Sequence, residues 1–145
     1  MARRYIEGVL TVSEASDLAS EVGYLEFSDP RLAGVVAEIS DCWPVSLEAP
    51  SYVRVEHRLE GHPWHTDRGA KGHMGWCSYS AGVLLTVPDT DFTGGGFYFQ
   101  DDPDTPLFPY CDLITWDSAS DNVHSVAKHR GNRRALIMFL GGVDV

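Results

Sequence analysis

The chain has 145 residues, of which 43% are hydrophobic and 22% are charged, so its composition is that of a globular protein and excludes a disordered or fibrous one. It contains 11 basic and 21 acidic residues, which gives a formal net charge of −10. This charge opposes binding to nucleic acids and to anionic membranes, because both depend on basic side chains. We therefore expect neither as a partner, and the oligomeric state stays open.

The cysteine content is typical of a reducing compartment. Cys42, Cys77 and Cys111 are odd in number and widely spaced, which argues against a disulfide framework and against a zinc ribbon. The N-terminus lacks the apolar stretch of a signal peptide, and the longest apolar run, 135–140, is too short to span a membrane. We expect a cytoplasmic protein.

The first predicted helix begins near Thr11. Either Thr11 or Ser13 can cap it, because both side chains can accept a hydrogen bond from a backbone N–H group of the first turn. Glu14 and Asp17 place negative charge near the positive end of the helix dipole, and the helix is expected to run to about Val22.

The second predicted helix begins at Asp29-Pro30. Aspartate is a favoured N-cap residue, and proline is favoured at the first helical position. An apolar stripe follows at helical spacing: Leu32, Val35, Val36 and Ile39. The helix is expected to stop near Trp43, because Pro44 pushes the residue before it out of the α region.

From Tyr52 the pattern changes to the two-residue period of a strand. One face carries Val53, Val55, His57 and Leu59, and the other carries Arg54, Glu56 and Arg58. Further strand-like runs follow at 79–87, 96–100, 112–116 and 134–140, with turn formers between them. Many short strands separated by turns predict a sandwich or barrel, of which a jelly roll closes two sheets around a pocket. The two N-terminal helices would then pack on an outer face.

His65 and Asp67 place an imidazole and a carboxylate two residues apart. On a strand these side chains project from the same face, with Cα atoms about 6.5–7 Å apart, so both can contact one ion. His124 supplies a third ligand after the run 112–116. Two histidines and one carboxylate form the facial triad of non-haem Fe(II) oxygenases, in which the open positions take co-substrate and O₂.

A cation follows the third ligand at Arg133. A guanidinium suits a carboxylate ligand, because its planar fork donates two parallel hydrogen bonds at any physiological pH. The neighbouring Arg134 could take this role instead, since strand alternation turns only one of the two inward. We favour Arg133, which would share a face with Ala135 and Ile137.

These residues belong to an ordered set of motifs: His65-x-Asp67, the glycine-rich segment 91–99, Trp116-Asp117-Ser118, His124-Ser125-Val126 and Gly131-Asn132-Arg133. Over about 52–140 the chain resembles the 2-oxoglutarate/Fe(II)-dependent dioxygenases, and most of all their prolyl 4-hydroxylase-like branch. The resemblance implies a mainly β fold with a double-stranded β-helix (jelly-roll) core. A single dioxygenase domain, 1–145, would comprise a helical part at about 1–50 and the core at about 51–141.

The resemblance also implies roles for the site residues. His65, Asp67 and His124 match the iron ligands and would carry the catalysis, and Arg133 matches the residue that holds the distal carboxylate of 2-oxoglutarate. In this family, O₂ and 2-oxoglutarate give succinate and CO₂ while a C–H bond is hydroxylated. Halogenating relatives lack the carboxylate ligand, so Asp67 favours hydroxylation. The implied substrate is prolyl, peptidyl or a small amino-acid-like molecule.

Other side chains near the site are candidates to line the pocket. Tyr79 is a candidate hydroxyl donor to 2-oxoglutarate, and His62 is a candidate contact for substrate or for the metal ligands. The remaining candidates are aromatic and could equally pack in the core: Trp64, Tyr98, Trp116 and Phe139.

Two other functions stay open from the sequence. A non-oxidative cupin-like metal-binding or isomerase module would use the same ligands for another divalent ion and would not need Arg133. A nucleic-acid-modifying oxygenase would use the same iron site, but the net charge of −10 opposes it.

Overall fold

The structure, a computed structural model, describes residues 3–67, 75–118 and 122–143. Within these ranges it contains eleven strands and two α-helices. The strands are β1 (Arg3–Ile6), β2 (Gly23–Tyr24), β3 (Ser51–Glu56), β4 (His62–His65), β5 (Cys77–Leu84), β6 (Phe92–Gly94), β7 (Phe97–Phe99), β8 (Leu113–Asp117), β9 (His124–Val126), β10 (His129–Gly131) and β11 (Ala135–Gly141). The helices are α1 (Val12–Ala19) and α2 (Ala33–Cys42), and a 3₁₀ turn at Pro30–Leu32 leads into α2.

Six antiparallel strands form the large sheet, in the order β1-β8-β5-β11-β3-β2. A second antiparallel group, β4-β9-β7, lies across a cavity from it, and β6 pairs with β10. Strands that are neighbours in a sheet are mostly far apart in the sequence, as expected when a chain crosses repeatedly between two sheets. The predicted mainly β jelly roll is confirmed.

The residues of β11 alternate between the two sides of the large sheet. Leu136, Met138 and Leu140 are at most 2% exposed and belong to the largest hydrophobic cluster. Ala135 and Ile137 project from the opposite side and line the cavity. This central strand therefore separates the hydrophobic core from the cavity.

Helix α1 starts with a capping box. The Thr11 hydroxyl accepts the N–H of Glu14, and the Glu14 carboxylate accepts the N–H of Thr11. Thr11 is thus the cap, and Ser13 lies within the first turn. The helix ends at Ala19, three residues earlier than predicted, where the Ser20 hydroxyl donates to a backbone carbonyl of the last turn.

The helices pack on the outer face of the large sheet, as predicted. Asp29 caps the 3₁₀ turn before α2, because its carboxylate accepts the N–H of Arg31 at 2.9 Å. In the predicted apolar stripe, Leu32, Val35 and Ile39 are fully buried and Val36 is half-buried; Leu18 of α1 is fully buried in the same core. After α2, the Trp43 indole N–H donates to the Thr115 hydroxyl of β8 at 2.9 Å, which fixes the end of the helix on the sheet.

The N-terminal part is less helical than predicted, since it also contributes two strands to the large sheet. β1 pairs with β8 at one edge, and β2 pairs with β3 at the other. Both strands are short and lack an alternating apolar pattern, so their own sequences do not predict them. They form because the outer edges of β8 and β3 offer backbone groups that need hydrogen-bond partners. β4, β6, β9 and β10 have only three or four residues each and were missed for the same reason.

Across the described ranges, no helix is both long enough and apolar enough to cross a lipid bilayer. Cys42, Cys77 and Cys111 are free thiols, as their number and spacing predict.

We predict that Leu136→Ala lowers the free energy of unfolding by about 2–5 kcal/mol, because it opens a cavity in the fully buried core between the helices and the large sheet. The matched control is Leu47→Ala, whose side chain is 66% exposed and whose loss changes stability by less than about 0.5 kcal/mol. Urea unfolding monitored by circular dichroism measures both effects. Equal effects of the two substitutions would contradict this assignment of the core.

Candidate metal centre and cofactor cavity

A cavity of about 210 Å³ opens between the large sheet and the β4-β9-β7 group. Aliphatic and aromatic side chains form much of its wall, among them Ile114, Ile137 and Phe139. Its polar groups include a cluster of two histidines and an aspartate, and a buried arginine. An apolar cavity with a few placed polar groups is the usual form of a small-molecule site.

The cluster forms where β4 meets β9. His65 is the last residue of β4 and pairs directly with His124, the first residue of β9, while Asp67 follows two residues after His65. The Asp67 Oδ1 atom lies 3.1 Å from His124 Nε2 and 3.5 Å from His65 Nε2. One donor atom from each residue lies within 4.8 Å of the other two. The structure therefore brings together the three residues that the sequence predicts as ligands.

Backbone carbonyls orient both imidazoles. The Nδ1 atom of His65 lies 2.7 Å from the carbonyl oxygen of Pro63, and the Nδ1 atom of His124 lies 2.9 Å from that of Asn122. A carbonyl only accepts, so each Nδ1 carries a proton, and each Nε2 faces Asp67. An Nε2 that carries a proton donates a hydrogen bond to this carboxylate, and one without a proton can give its lone pair to a metal. Such outer hydrogen bonds are typical of histidines that ligate metals.

The Asp67 carboxylate is almost fully buried, with 2% of the side chain exposed. The Trp116 indole N–H donates to its Oδ2 at 3.0 Å, and the Ser80 side chain also hydrogen-bonds to it. Burial alone would raise the pKa of Asp67, but the hydrogen bonds from His124 and His65 outweigh burial and hold it well below the usual range. The residue is therefore an anion at neutral pH.

This donor set fits a divalent first-row metal. Two imidazole nitrogens and one carboxylate oxygen are the ligands that non-haem Fe(II) oxygenases use, with further positions open to other ligands. The nearby His62 does not join them, because its Nε2 lies 2.6 Å from a carboxylate oxygen of Glu56. Among the described residues, only His65, Asp67 and His124 form a group that could hold an ion.

Arg133 lies two residues before the start of β11 and lines the same cavity, with 7% of its surface exposed. Its Nε–H donates to the carbonyl of Gly95 at 2.8 Å, and no described carboxylate forms an ion pair with it. Burial lowers the pKa of Arg133 to about 10, an effect that the Glu56 carboxylate opposes. Arg133 is therefore a buried cation at neutral pH that lacks a protein counter-ion within the described ranges.

Glycine is required at Gly95 for Arg133 to reach this position. Gly95 has a φ of +71°, and a Cβ atom there would lie 2.6 Å from Cδ of Arg133. The backbone of Arg133 is held as well, because the His57 Nδ1 atom lies 3.1 Å from its carbonyl oxygen. The sequence shows the glycines but assigns them to a tight turn, because their contact with Arg133 depends on the tertiary fold.

The neighbouring Arg134 points away from the cavity. Its guanidinium hydrogen-bonds to the carbonyl of Ala19 and to the side chain of Asn132. The alternation that continues into β11 therefore turns Arg133 and Ala135 toward the cavity and Arg134 toward the helices.

The other pocket candidates divide into two groups. His62, Trp116 and Phe139 line the cavity. Trp64 and Tyr98 do not, and Trp64 is 43% exposed, since β4 and β7 turn these side chains away from the large sheet.

The expectation for Tyr79 is wrong. Its ring stacks on Trp43 at 5.2 Å between centroids, on the side of the large sheet that carries the helices. The alternation of β5 explains this, because Gly82 and Leu84 line the cavity and Tyr79 has the opposite orientation. The hydroxyl of Tyr79 is therefore remote from any ligand in the cavity.

The cavity residues that the sequence did not single out include three on one strand: Tyr52, Arg54 and Glu56. They occupy one face of β3, and the alternation of this strand is visible in the sequence. Alternation reveals that a face is polar, but it does not reveal whether that face contacts solvent or a cavity.

We predict that Trp116→Phe weakens the binding of Co(II) to the cluster by about 10- to 100-fold, because Asp67 loses the N–H that orients it. The matched control is Trp43→Phe, which also removes an indole hydrogen bond but lies on the helix side of the sheet. It should lower stability and leave Co(II) affinity unchanged. Calorimetric titration measures both affinities, and equal losses in the two variants would contradict the role of Trp116.

No family model and no curated protein matches this sequence. The fold matches solved structures at low identity. The 2-oxoglutarate complex of a viral collagen prolyl hydroxylase from Paramecium bursaria Chlorella virus-1 has a TM-score of 0.71 at 11% identity, over 99% of this chain and 97% of that one.

Two further structures match nearly the whole chain. A prolyl-4-hydroxylase from Pseudomonas putida has a TM-score of 0.70 at 11% identity, over 99% of this chain and 94% of that one. A prolyl hydroxylase from Trichoplax adhaerens, in complex with a peptide fragment of the hypoxia inducible factor oxygen degradation domain, has a TM-score of 0.69 at 13% identity, over 97% and 83%. The chain therefore has the fold of these prolyl hydroxylases.

Proposed function

We propose that the protein is a non-haem Fe(II)- and 2-oxoglutarate-dependent dioxygenase that hydroxylates a prolyl, peptidyl or small amino-acid-like substrate. The observation that carries this proposal is that two kinds of binding group share one cavity. The His65, Asp67 and His124 cluster suits Fe(II), and Arg133 is a buried cation that a carboxylate ligand would neutralise.

Each residue has a specific role in this proposal. His65, Asp67 and His124 hold the ion, and Trp116 fixes the carboxylate ligand. Arg133 binds the distal carboxylate of 2-oxoglutarate, whose other end binds at the metal. The apolar wall, including Ile137, excludes water from the chain of carbon atoms between the two ends.

The overall reaction uses O₂ and 2-oxoglutarate as oxidant. The bound iron would supply the centre at which O₂ is reduced. One oxygen atom enters the carboxylate of succinate as CO₂ leaves, and the other enters the C–H bond of the substrate to give an alcohol. Two electrons come from 2-oxoglutarate and two from the substrate, so four electrons reduce one O₂.

The substrate class rests on the shared fold and on charge. One of the matching structures holds a peptide fragment, and a flexible peptide or a free amino acid would suit a cavity of about 210 Å³. The net charge of −10 opposes a nucleic-acid substrate. Cytoplasmic location remains a prediction of the cysteine pattern.

We predict that Fe(II) and 2-oxoglutarate, added to the purified protein without oxygen, produce a weak visible charge-transfer band. Admission of O₂ should then release succinate slowly, even without substrate. Asp67→Ala should abolish both signals, because the group of three described ligands loses its carboxylate, whereas the exposed Arg130→Gln should retain both. A folded wild-type protein that binds a divalent metal but gives neither signal would contradict the proposal and indicate a non-oxidative metal module.

We predict that Arg133→Gln weakens the binding of 2-oxoglutarate by about 10- to 100-fold, because it removes a charged hydrogen-bond donor to a carboxylate. The matched control is the adjacent Arg134→Gln, whose side chain points toward the helices. Titration of the charge-transfer band with 2-oxoglutarate measures both affinities. If Arg134→Gln had the larger effect, Arg134 and not Arg133 would be the residue that binds 2-oxoglutarate.

A further inference from the structure

One face of β3 places a second arginine in the cavity. Arg54 lies between Tyr52 and Glu56 on this face, and all three line the cavity. Across the sheet, Arg54 is opposite Ile137 of β11, whose side chain forms part of the apolar wall. A charged group in this position is adjacent to the space that a substrate would occupy.

Arg54 is held by tyrosines rather than by an acid. Its Nη1 donates to the hydroxyl of Tyr52 at 3.3 Å, and that hydroxyl lies 3.3 Å from the hydroxyl of Tyr24. The guanidinium carbon lies 5.6 Å from the centre of the Tyr24 ring. These contacts orient the guanidinium without an ion pair to a described acid.

The Nε atom of Arg54 is buried and has no hydrogen-bond partner among the described residues. A buried N–H without a partner costs free energy, so the position is one that a ligand would complete. Nε and the adjacent Nη2 form the side of the guanidinium that binds a carboxylate through two parallel hydrogen bonds.

Glu56 lies on the same face of β3 and attracts Arg54 through its charge, but the two side chains form no ion pair. A carboxylate oxygen of Glu56 lies 2.6 Å from His62 Nε2. Burial would raise the pKa of Glu56, but the hydrogen bond from His62 outweighs this effect and lowers it. Glu56 is therefore an anion already engaged by a different partner.

The charged side chains of the loaded cavity would leave one positive charge in excess. If the proposed function holds, the charges of Fe(II), Asp67, Arg133 and the 2-oxoglutarate dianion sum to zero. Two further cations, Arg54 and Arg58, and one anion, Glu56, line the cavity. Arg54 lies beside the apolar wall, so this end of the cavity is the complement of a monoanion with an apolar body.

Resting on that proposed function, we propose that Arg54 binds the carboxylate of the substrate, so that the substrate is a small free carboxylic acid of the amino-acid kind rather than an internal residue of a peptide. Tyr52 holds the guanidinium in place from the side opposite the ligand. The C–H bond to be hydroxylated would belong to the apolar body of this acid, which extends from Arg54 toward the metal ligands.

The test uses two pairs of probes that differ mainly in the carboxylate: N-acetyl-L-proline with N-acetyl-L-prolinamide, and benzoate with benzamide. The protein is loaded with Zn(II), as a redox-inert substitute for iron, and with 2-oxoglutarate. Binding is measured through the Nε–Hε resonances of ¹⁵N-arginine, in which the signal of Arg54 is identified by its absence from the Arg54→Gln spectrum. The exposed Arg130→Gln is the control variant.

We expect the acids to shift the Arg54 resonance and to bind at least about 10-fold more tightly than the amides, because charged hydrogen bonds are lost with the carboxylate. Arg54→Gln should remove this preference, and Arg54→Lys, which keeps the charge without the fork, should restore part of it. Equal binding of acids and amides, no binding of either acid, or acid binding that Arg54→Gln leaves intact would overturn the proposal.

Two arms separate this inference from the proposed function. If Arg54→Gln weakens 2-oxoglutarate as strongly as Arg133→Gln does, Arg54 belongs to the co-substrate site and the inference is wrong. If the wild-type protein binds 2-oxoglutarate and forms succinate but ignores both acids, only the inference is overturned. If it ignores 2-oxoglutarate but binds the acids through Arg54, the dioxygenase function is wrong while a carboxylate site at Arg54 stands.

Discussion

The buried carboxylate of Asp67 is the constraint on which the cavity depends. A charge with 2% of its side chain exposed is costly unless its oxygens receive hydrogen bonds. His124 and Trp116 approach it from two directions, and the pairing of β4 with β9 adds His65 opposite His124. The hydrogen bonds that stabilise the buried carboxylate also bring the Nε2 atoms of His65 and His124 close to it. The local stability of this end of the fold and its capacity for a metal therefore have the same origin.

The remainder of the cavity carries charge that the protein itself does not balance. Arg133 is buried without an ion pair among the described residues, and Arg54 has a buried Nε without a partner there. Such groups lower stability on their own, and anionic ligands would remove that cost. The opposite face of the large sheet offsets the cost with a hydrophobic core in which Leu136 and Ile39 are fully buried. One sheet thus serves both stability and binding.

Local chemistry was sufficient to predict several elements from the sequence. The start of α1 followed from Thr11, whereas Asp29 caps a 3₁₀ turn and α2 begins only at Ala33. The jelly roll that the resemblance to a known family implied is confirmed by the structure. Features that depend on pairing between distant strands were not predictable in this way. Tyr79 was assigned to the cavity although the register of β5 directs it to the helices. The short strands were missed because three or four residues carry too little periodicity.

The most direct test of the account is a crystal structure grown without oxygen in the presence of Fe(II) and 2-oxoglutarate, with anomalous scattering recorded at the iron edge. We predict one iron at about 2.0–2.3 Å from His65 Nε2, His124 Nε2 and an Asp67 oxygen, as is usual for imidazole and carboxylate ligands of first-row metals. The distal carboxylate of 2-oxoglutarate should contact Arg133. Iron bound at any other position, or 2-oxoglutarate bound away from Arg133, would contradict the account.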